Sequence, residues 1–334
     1  MMAQEMSAHP LAAGTWQHDL STLKVAGEIG SFSRGAVNRY DQDGYNVSVQ
    51  LEDTETQTIA TIYVFRSGRP NVGVWADRAA SVMLSNPALG KADMEQIIRG
   101  AFTPPNAAGA DSGYRVVAGI NGEGFRSTGA AIYNHDGWLL KIRMSSRTLS
   151  PQGLDETLMS IIAKIDMDAA KQPAPAFVQI EDCTQQLKTR KNAKINRYDM
   201  VGTILVGAAV GAAREAVRGS AAEAKETWCR DPSSKWEYGV YRADESEKSY
   251  LIAFGDAGVS AEASNVNFSG LVKPSRGYML SVSDGVTEEV YPILNRLPKP
   301  AQIAELLGKL SPISTFDVRP GAAGEQTIVI PSGK

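Results

Sequence analysis

The chain has 334 residues, of which 43% are hydrophobic and 21% are charged, and its formal net charge is −3. This composition is typical of a folded globular protein and excludes a chain that is largely disordered. Residues 1–172 carry 15 basic and 18 acidic side chains, and the remaining residues carry 19 of each. Neither half has the basic excess of a domain that binds nucleic acid over its whole surface, which argues against nucleic acid as a partner.

The supply of metal-binding and nucleophilic side chains is small. The chain has three histidines, His9, His18 and His135, and two cysteines, Cys183 and Cys229. A Cys-rich zinc site needs four such ligands close together. The sequence therefore predicts neither a metal site nor a cofactor.

The first predicted elements follow a polar stretch, residues 1–22, that we expect to be a loose N-terminal arm. Alternation of apolar and polar side chains predicts a strand over 45–51, and β-branched and aromatic residues predict another over 58–65. Helices are predicted over 72–84 and over 91–102, the second ending at a Pro-Pro pair that cannot continue a helix.

Strand signals return over 113–147. Asp136-Gly137 predicts a hairpin turn between a strand near 130–133 and one over 138–144. Ser150-Pro151 then predicts the start of a helix with an apolar face. Strands joined by short turns indicate an antiparallel sheet with helices packed on it, so residues 23–170 are predicted to form an α+β domain.

A Pro- and Ala-rich stretch over 171–176 predicts a linker to a second α+β domain, residues 177–334. A short strand or turn is predicted over 177–183, a basic helical stretch over 188–197, and a Gly- and Ala-rich helix over 201–227. A closing helix is predicted over 299–310. The remaining predicted strands lie at 236–241, 249–254, 258–263, 277–282, 288–294 and 327–330. Each domain is thus predicted to be a mainly antiparallel sheet packed by helices.

The two cysteines flank a segment of 45 residues, and no other thiol competes for either. A bridge between Cys183 and Cys229 would restrict the unfolded chain by about 4 kcal/mol in the loop-entropy model. Because disulfides persist in oxidising compartments, the pair favours a periplasmic or secreted protein that has lost its signal peptide. The alternative is a cytoplasmic protein with two buried free thiols.

One region of the second half combines positive charge with small apolar residues. No acidic residue occurs between Asp182 and Asp199, and this region is predicted to contact an anionic surface through Lys188, Arg190, Lys191, Lys194 and Arg197. The uncharged run over 200–213 is shorter than the roughly 20 residues of a membrane-spanning helix. It contains Gly207 and Gly211 at the spacing of a helix-docking face. Such a face could pack against a partner, a membrane, or the protein's own sheet.

Two short motifs suggest catalysis but match by chance as readily. Ser21 and Lys24 fit the S-x-x-K pattern of penicillin-recognising serine enzymes, without the other motifs of those enzymes. His135 and Asp136 could be half of a proton relay, but no nucleophile can be assigned to them. Both are therefore interpreted as ordinary polar residues.

Three functions remain open from the sequence. The first is a non-catalytic exported protein that binds or scaffolds an unknown protein or small molecule. The second is a hydrolase with a site between the two domains. The third is peripheral association with a membrane surface through residues 188–213.

Overall fold

A computed structural model describes residues 14–107, 111–189, 191–196, 226–270, 273–319 and 326–328, together with Gly202, Leu205 and Ala209. The chain divides into two compact units. The first contains Met1–Arg66 and Pro70–Gln179, and the second contains Ser67–Arg69 and Ile180–Lys334. The protein is mostly β-sheet, and its two large sheets are almost entirely antiparallel.

The first unit contains a sheet of eight strands. Their order is β3-β4-β5-β6-β10-β9-β8-β7, so two four-stranded meanders meet where β6 pairs with β10. The strands are β3 (Glu28–Ile29), β4 (Phe32–Arg39), β5 (Asn46–Asp53), β6 (Thr58–Phe65), β7 (Lys91–Phe102), β8 (Gly113–Asn121), β9 (Ser127–His135) and β10 (Trp138–Ser146).

Two helices pack on this sheet. Helix α1 (Val72–Leu84) connects the two meanders, and its N-cap residue Asn71 accepts a hydrogen bond from the Val74 N–H. Helix α2 (Pro151–Ala163) begins after Ser150, whose side chain caps the Gly153 N–H. Its buried residues join the largest apolar cluster of the unit, which includes Val49, Ile62 and Leu140. Both helices were predicted from the sequence, the second from Ser150-Pro151 and the apolar face that follows it.

The predicted helix over 91–102 is wrong, since these residues form β7. They pair with β8 from Lys91↔Asn121 to Phe102↔Gly113, and Met94–Gln96 leave the ladder between Asp93 and Ile97. Strand β8 is buried along most of its length and needs a hydrogen-bonding neighbour. That tertiary demand overrides the helix propensity of Met94, Glu95 and Gln96.

The described part of the predicted N-terminal arm is folded. Strand β1 (Trp16–Gln17) pairs with β2 (Lys24–Val25), and His18 between them is buried. At the other end of the unit, Phe177 stacks on Tyr114 with ring centroids 4.2 Å apart. Residues of the predicted linker over 171–176 therefore belong to the first unit rather than to a free connection.

The second unit contains a sheet of nine strands in chain order from β11 to β19. Only β11 and β12 run parallel; the other neighbours run antiparallel. The strands are β11 (Glu181–Asp182), β12 (Trp228–Arg230), β13 (Tyr238–Ala243), β14 (Ser249–Phe254), β15 (Ser260–Asn267), β16 (Arg276–Ser283), β17 (Thr287–Val290), β18 (Ser314–Asp317) and β19 (Gln326–Ile328).

The closing helix of the second unit is shorter than predicted. A 3-10 turn, Pro300–Gln302, leads into α3 (Ile303–Lys309). Ile303 and Leu306 from this region pack with Val240, Ile252 and Leu280 of the sheet. Strand β17 also ends earlier than predicted, at Val290, because Pro292 has no N–H to extend the ladder.

The described residues of the basic stretch, 188–189 and 191–196, do not form the predicted helix. They have no helical conformation, and only Ile195 among them forms a β-bridge, with Leu294. Within the predicted Gly- and Ala-rich helix over 201–227, the structure describes Gly202, Leu205 and Ala209, which are helical, and Glu226 and Thr227, which are not. Gly207 and Gly211, which were predicted as a helix-docking face, lie outside the described residues, as do Arg190 and Arg197.

Candidate functional site

The predicted disulfide is present between Cys183 and Cys229. It joins the residue that follows β11 to the middle residue of β12. Just beyond Cys183, Glu245 accepts hydrogen bonds from the N–H and the hydroxyl of Thr184, at 3.1 and 2.6 Å. These bonds lower the pKa of the Glu245 carboxyl below its usual value. The chain just before the basic stretch is thus fixed to the sheet by a covalent bond and by a carboxylate.

A buried ion pair holds the next part of the chain. Asp231 Oδ2 lies 3.1 Å from Nε of Arg242, and both side chains are almost completely buried. Oδ2 of Asp231 also accepts the Leu187 N–H at 2.7 Å. The Arg242 guanidinium donates to the carbonyl oxygens of Gln185 and Glu245. Residues 185–187 therefore take their position from the buried pair, since each of these backbone groups has a charged partner.

The far end of the basic stretch is fixed by two amide side chains. Gln302 is buried and makes two hydrogen bonds to Ala193: its Oε1 accepts the Ala193 N–H at 2.8 Å, and its Nε2 donates to the Ala193 carbonyl at 2.9 Å. Asn295 accepts the Lys194 N–H at 3.0 Å. These bonds satisfy backbone groups that the predicted helix would have paired internally, which is consistent with the non-helical conformation.

The anchored segment buries its apolar residues and exposes its lysines. Leu187 and Ala193 join the apolar cluster of the second unit. The described lysines of the segment, Lys188, Lys191 and Lys194, are exposed to solvent. The anchors therefore hold the lysines outward at fixed backbone positions.

Two further cations that were not predicted from the sequence lie beside this segment. Oδ1 of Asn295 accepts a hydrogen bond from Nε of Arg296 at 3.4 Å, and the same oxygen accepts the hydrogen bond of the Lys194 N–H. One amide oxygen therefore connects both cationic residues. The Asn196 side chain donates to the carbonyl of Arg276 at 3.5 Å. Arg276 and Arg296 are both exposed. We call the surface formed by these cations the basic face: Lys188, Lys191, Lys194, Arg276 and Arg296.

The basic face is built from three segments that contain no acidic residue: 183–198, 263–283 and 291–304. Within the described parts of the chain, no carboxylate lies within 4.0 Å of any of its five cationic groups. The nearest acid along the third segment, Glu305, is already paired with Lys309 at 2.6 Å. The described structure therefore gives these five cations no ion pair. Arg276 and Arg296 lie on two further acid-free stretches, but the sequence contains other such stretches and does not show which of them meet the first.

Three described residues of the predicted Gly- and Ala-rich helix are helical, namely Gly202, Leu205 and Ala209. Ala209, which lies between Gly207 and Gly211, packs against the apolar cluster that contains Phe268, Val290 and Ile293. This contact is with the protein's own second unit. Leu205 on the same helix is exposed.

The serine and lysine of the S-x-x-K match have separate partners. Nζ of Lys24 lies 3.6 Å from Asp166. Ser21 Oγ lies 2.8 Å from Nδ1 of His18, whose Nε2 lies 2.8 Å from the Gly44 carbonyl and donates to it. Nδ1 is then the acceptor, and it also receives the Ser21 N–H. Burial lowers the pKa of His18, which favours the neutral ring that this arrangement needs.

His135 and Asp136 also occupy different environments. His135 is buried at the end of β9, whereas Asp136 has the positive φ of a hairpin turn and accepts the Lys171 N–H at 3.0 Å. Across the described residues, no group of three His, Cys, Asp or Glu side chains could hold a metal ion. In the same part of the chain, no helix is long and apolar enough to cross a membrane.

Comparison with known proteins gives no relative. The chain matches no protein-family model, no curated protein and no solved structure. Its function is therefore inferred from its own residues, and the basic face is the feature that most resembles a binding surface.

Proposed function

We propose that this is an exported, non-catalytic binding protein that docks on anionic surfaces through its basic face. One observation carries the proposal: five exposed cations lie on three acid-free segments, and hydrogen bonds of Lys194, Asn196 and Asn295 join these segments. The Cys183–Cys229 disulfide supports export, because such bonds persist in oxidising compartments.

The basic face contributes little to folding. Exposed cations without carboxylate partners gain no ion-pair energy, and neighbouring like charges repel each other. Even so, Gln302, Asn295 and Asp231 fix the segment that carries the lysines. A rigid surface of unneutralised charge is what binding to a polyanion requires, because little conformational entropy is lost on association.

The net charge of −3 does not prevent this binding. At physiological ionic strength, charges farther apart than about 8 Å are largely screened from each other. An anionic group in contact with the basic face therefore interacts mainly with the local cations. We expect the affinity to fall steeply as salt is added.

The test is elution from immobilised heparin, which serves as a model polyanion, in a sodium chloride gradient. Lys191→Glu with Lys194→Glu reverses two charges of the basic face. Each lysine near an anionic surface contributes about 1 kcal/mol, so this variant should bind at least about 30-fold more weakly and elute at much lower salt.

The matched control is Lys235→Glu with Lys248→Glu. Both of these lysines are exposed in the second unit but stand beside acidic residues, Glu237 and Glu247. The control has the same net charge as the test variant and should elute close to the wild-type protein. Equal elution of the two double variants would refute the proposed function, because net charge alone would then explain retention.

A further inference from the structure

The basic face contains an exposed apolar side chain. Ile195 lies between Lys194 and Asn196 and is 43% exposed. Single exposed apolar residues are common on protein surfaces and need no explanation by themselves. This one differs because it stands within the acid-free segment, next to the cations that define the proposed binding surface.

The backbone on both sides of Ile195 is fixed. Lys194 donates its N–H to Asn295 and accepts the Asn295 N–H at 2.9 Å. Asn196 donates its N–H to the Ile293 carbonyl at 2.7 Å, and Ile195 itself forms a β-bridge with Leu294. A side chain on so firmly held a backbone cannot turn inward without breaking these bonds. Its exposure is therefore a built feature of the surface.

The combination of cations and an apolar side chain distinguishes between anionic partners. A soluble polyanion offers charged groups but no hydrocarbon, so an isoleucine would add nothing to its binding. A bilayer offers anionic headgroups and, a few ångströms below them, acyl chains that an apolar side chain can enter. Of these two partners, only the bilayer uses both kinds of side chain.

We infer that the partner of the basic face is a bilayer that contains anionic phospholipid, with Ile195 entering the interface between headgroups and acyl chains. This inference rests on the proposed function, because it names the partner of the same surface. Lys191, Lys194 and Arg296 then contact headgroup phosphates around the inserted side chain.

The experiment is co-sedimentation of the full chain with vesicles of phosphatidylglycerol mixed with phosphatidylcholine, compared with vesicles of phosphatidylcholine alone. The wild-type protein should bind the mixed vesicles and not the neutral ones. Burial of the exposed part of an isoleucine is worth roughly a fivefold gain in partitioning. Ile195→Ser should therefore bind the mixed vesicles about fivefold more weakly and should elute from heparin like wild type.

The control is Ile59→Ser, which removes an isoleucine that is 50% exposed on β6 in the first unit and should leave vesicle binding unchanged. Ile195→Trp should strengthen vesicle binding, because tryptophan favours the membrane interface. This second variant keeps the test valid if Ile195→Ser perturbs the fold.

The outcomes separate the two proposals. If Lys191→Glu with Lys194→Glu reduces binding to both probes while the two Ile195 variants behave like wild type on vesicles, the basic face binds anions but the bilayer inference is wrong. If the charge-reversed variant binds heparin and vesicles like wild type, the proposed function itself fails.

Discussion

The buried cations of this protein and the cations of its basic face have opposite environments. Lys141 in the first unit is 1% exposed, and its ammonium group lies 4.5 Å from the centre of the Tyr63 ring. Arg242 in the second unit is buried against Asp231. The exposed Lys191 and Lys194 have no carboxylate neighbour in the described chain.

This difference separates charges that the fold needs from charges that it does not. A cation out of contact with water is kept only where aromatic rings or carboxylates compensate for lost hydration. Exposed cations keep their hydration and need no such partner. The packing of the protein therefore does not explain why they lie on acid-free segments. The contrast predicts that the stability of the protein depends on the buried cations and that binding depends on the cations of the basic face.

Arg242→Ala should cause the largest loss of stability. It leaves Asp231 as an uncompensated charge in the interior, which typically costs about 3–5 kcal/mol. Urea unfolding followed by tryptophan fluorescence measures the effect, since two of the five tryptophans, Trp228 and Trp236, lie in the second unit. The double variant Arg242→Met with Asp231→Leu should recover part of the loss. A single variant as stable as wild type would show that the pair is unimportant.

Removal of the disulfide should cost somewhat less. The bond closes a segment of 45 residues, and its loss should lower the free energy of unfolding by about 2–4 kcal/mol. Cys183→Ser with Cys229→Ser can be compared in urea with the oxidised wild type. Reduction of the wild-type protein should reproduce the loss, and reduction of the double variant should change nothing further. An unchanged midpoint after reduction would contradict the role given to the bond.

Charge reversal on the basic face should have the smallest effect on stability. Lys191→Glu with Lys194→Glu removes no carboxylate contact and keeps the backbone bonds of Lys194, so the free energy of unfolding should stay within about 0.5 kcal/mol of wild type. The same urea titration measures it. A loss of several kcal/mol would mean that these lysines belong with the structural cations after all.

The parts of the fold that follow from the sequence are those with strong local signals. Asn71 and Ser150 cap α1 and α2, and Asp136-Gly137 forms the predicted turn between β9 and β10. The helix predicted over 91–102 failed because β8 required a partner strand, and no local pattern reports such a demand.

The candidate site was only half predictable for a similar reason. The lysines of the basic face follow from the absence of acids between Asp182 and Asp199. Arg276 and Arg296 come from distant parts of the chain, and the hydrogen bonds of Asn196 and Asn295 bring them to the lysines. Amide-to-backbone bonds of this kind have no sequence pattern. The disulfide was predictable because only two cysteines exist.

Amide chemical-shift mapping with a short heparin oligosaccharide tests the location of the binding surface most directly. We predict that the largest shifts occur at residues 187–196 and at Arg276, Asn295 and Arg296, and that they disappear in Lys191→Glu with Lys194→Glu. Shifts confined to the first unit, or unchanged in the charge-reversed variant, would contradict the assignment of the basic face as the binding surface.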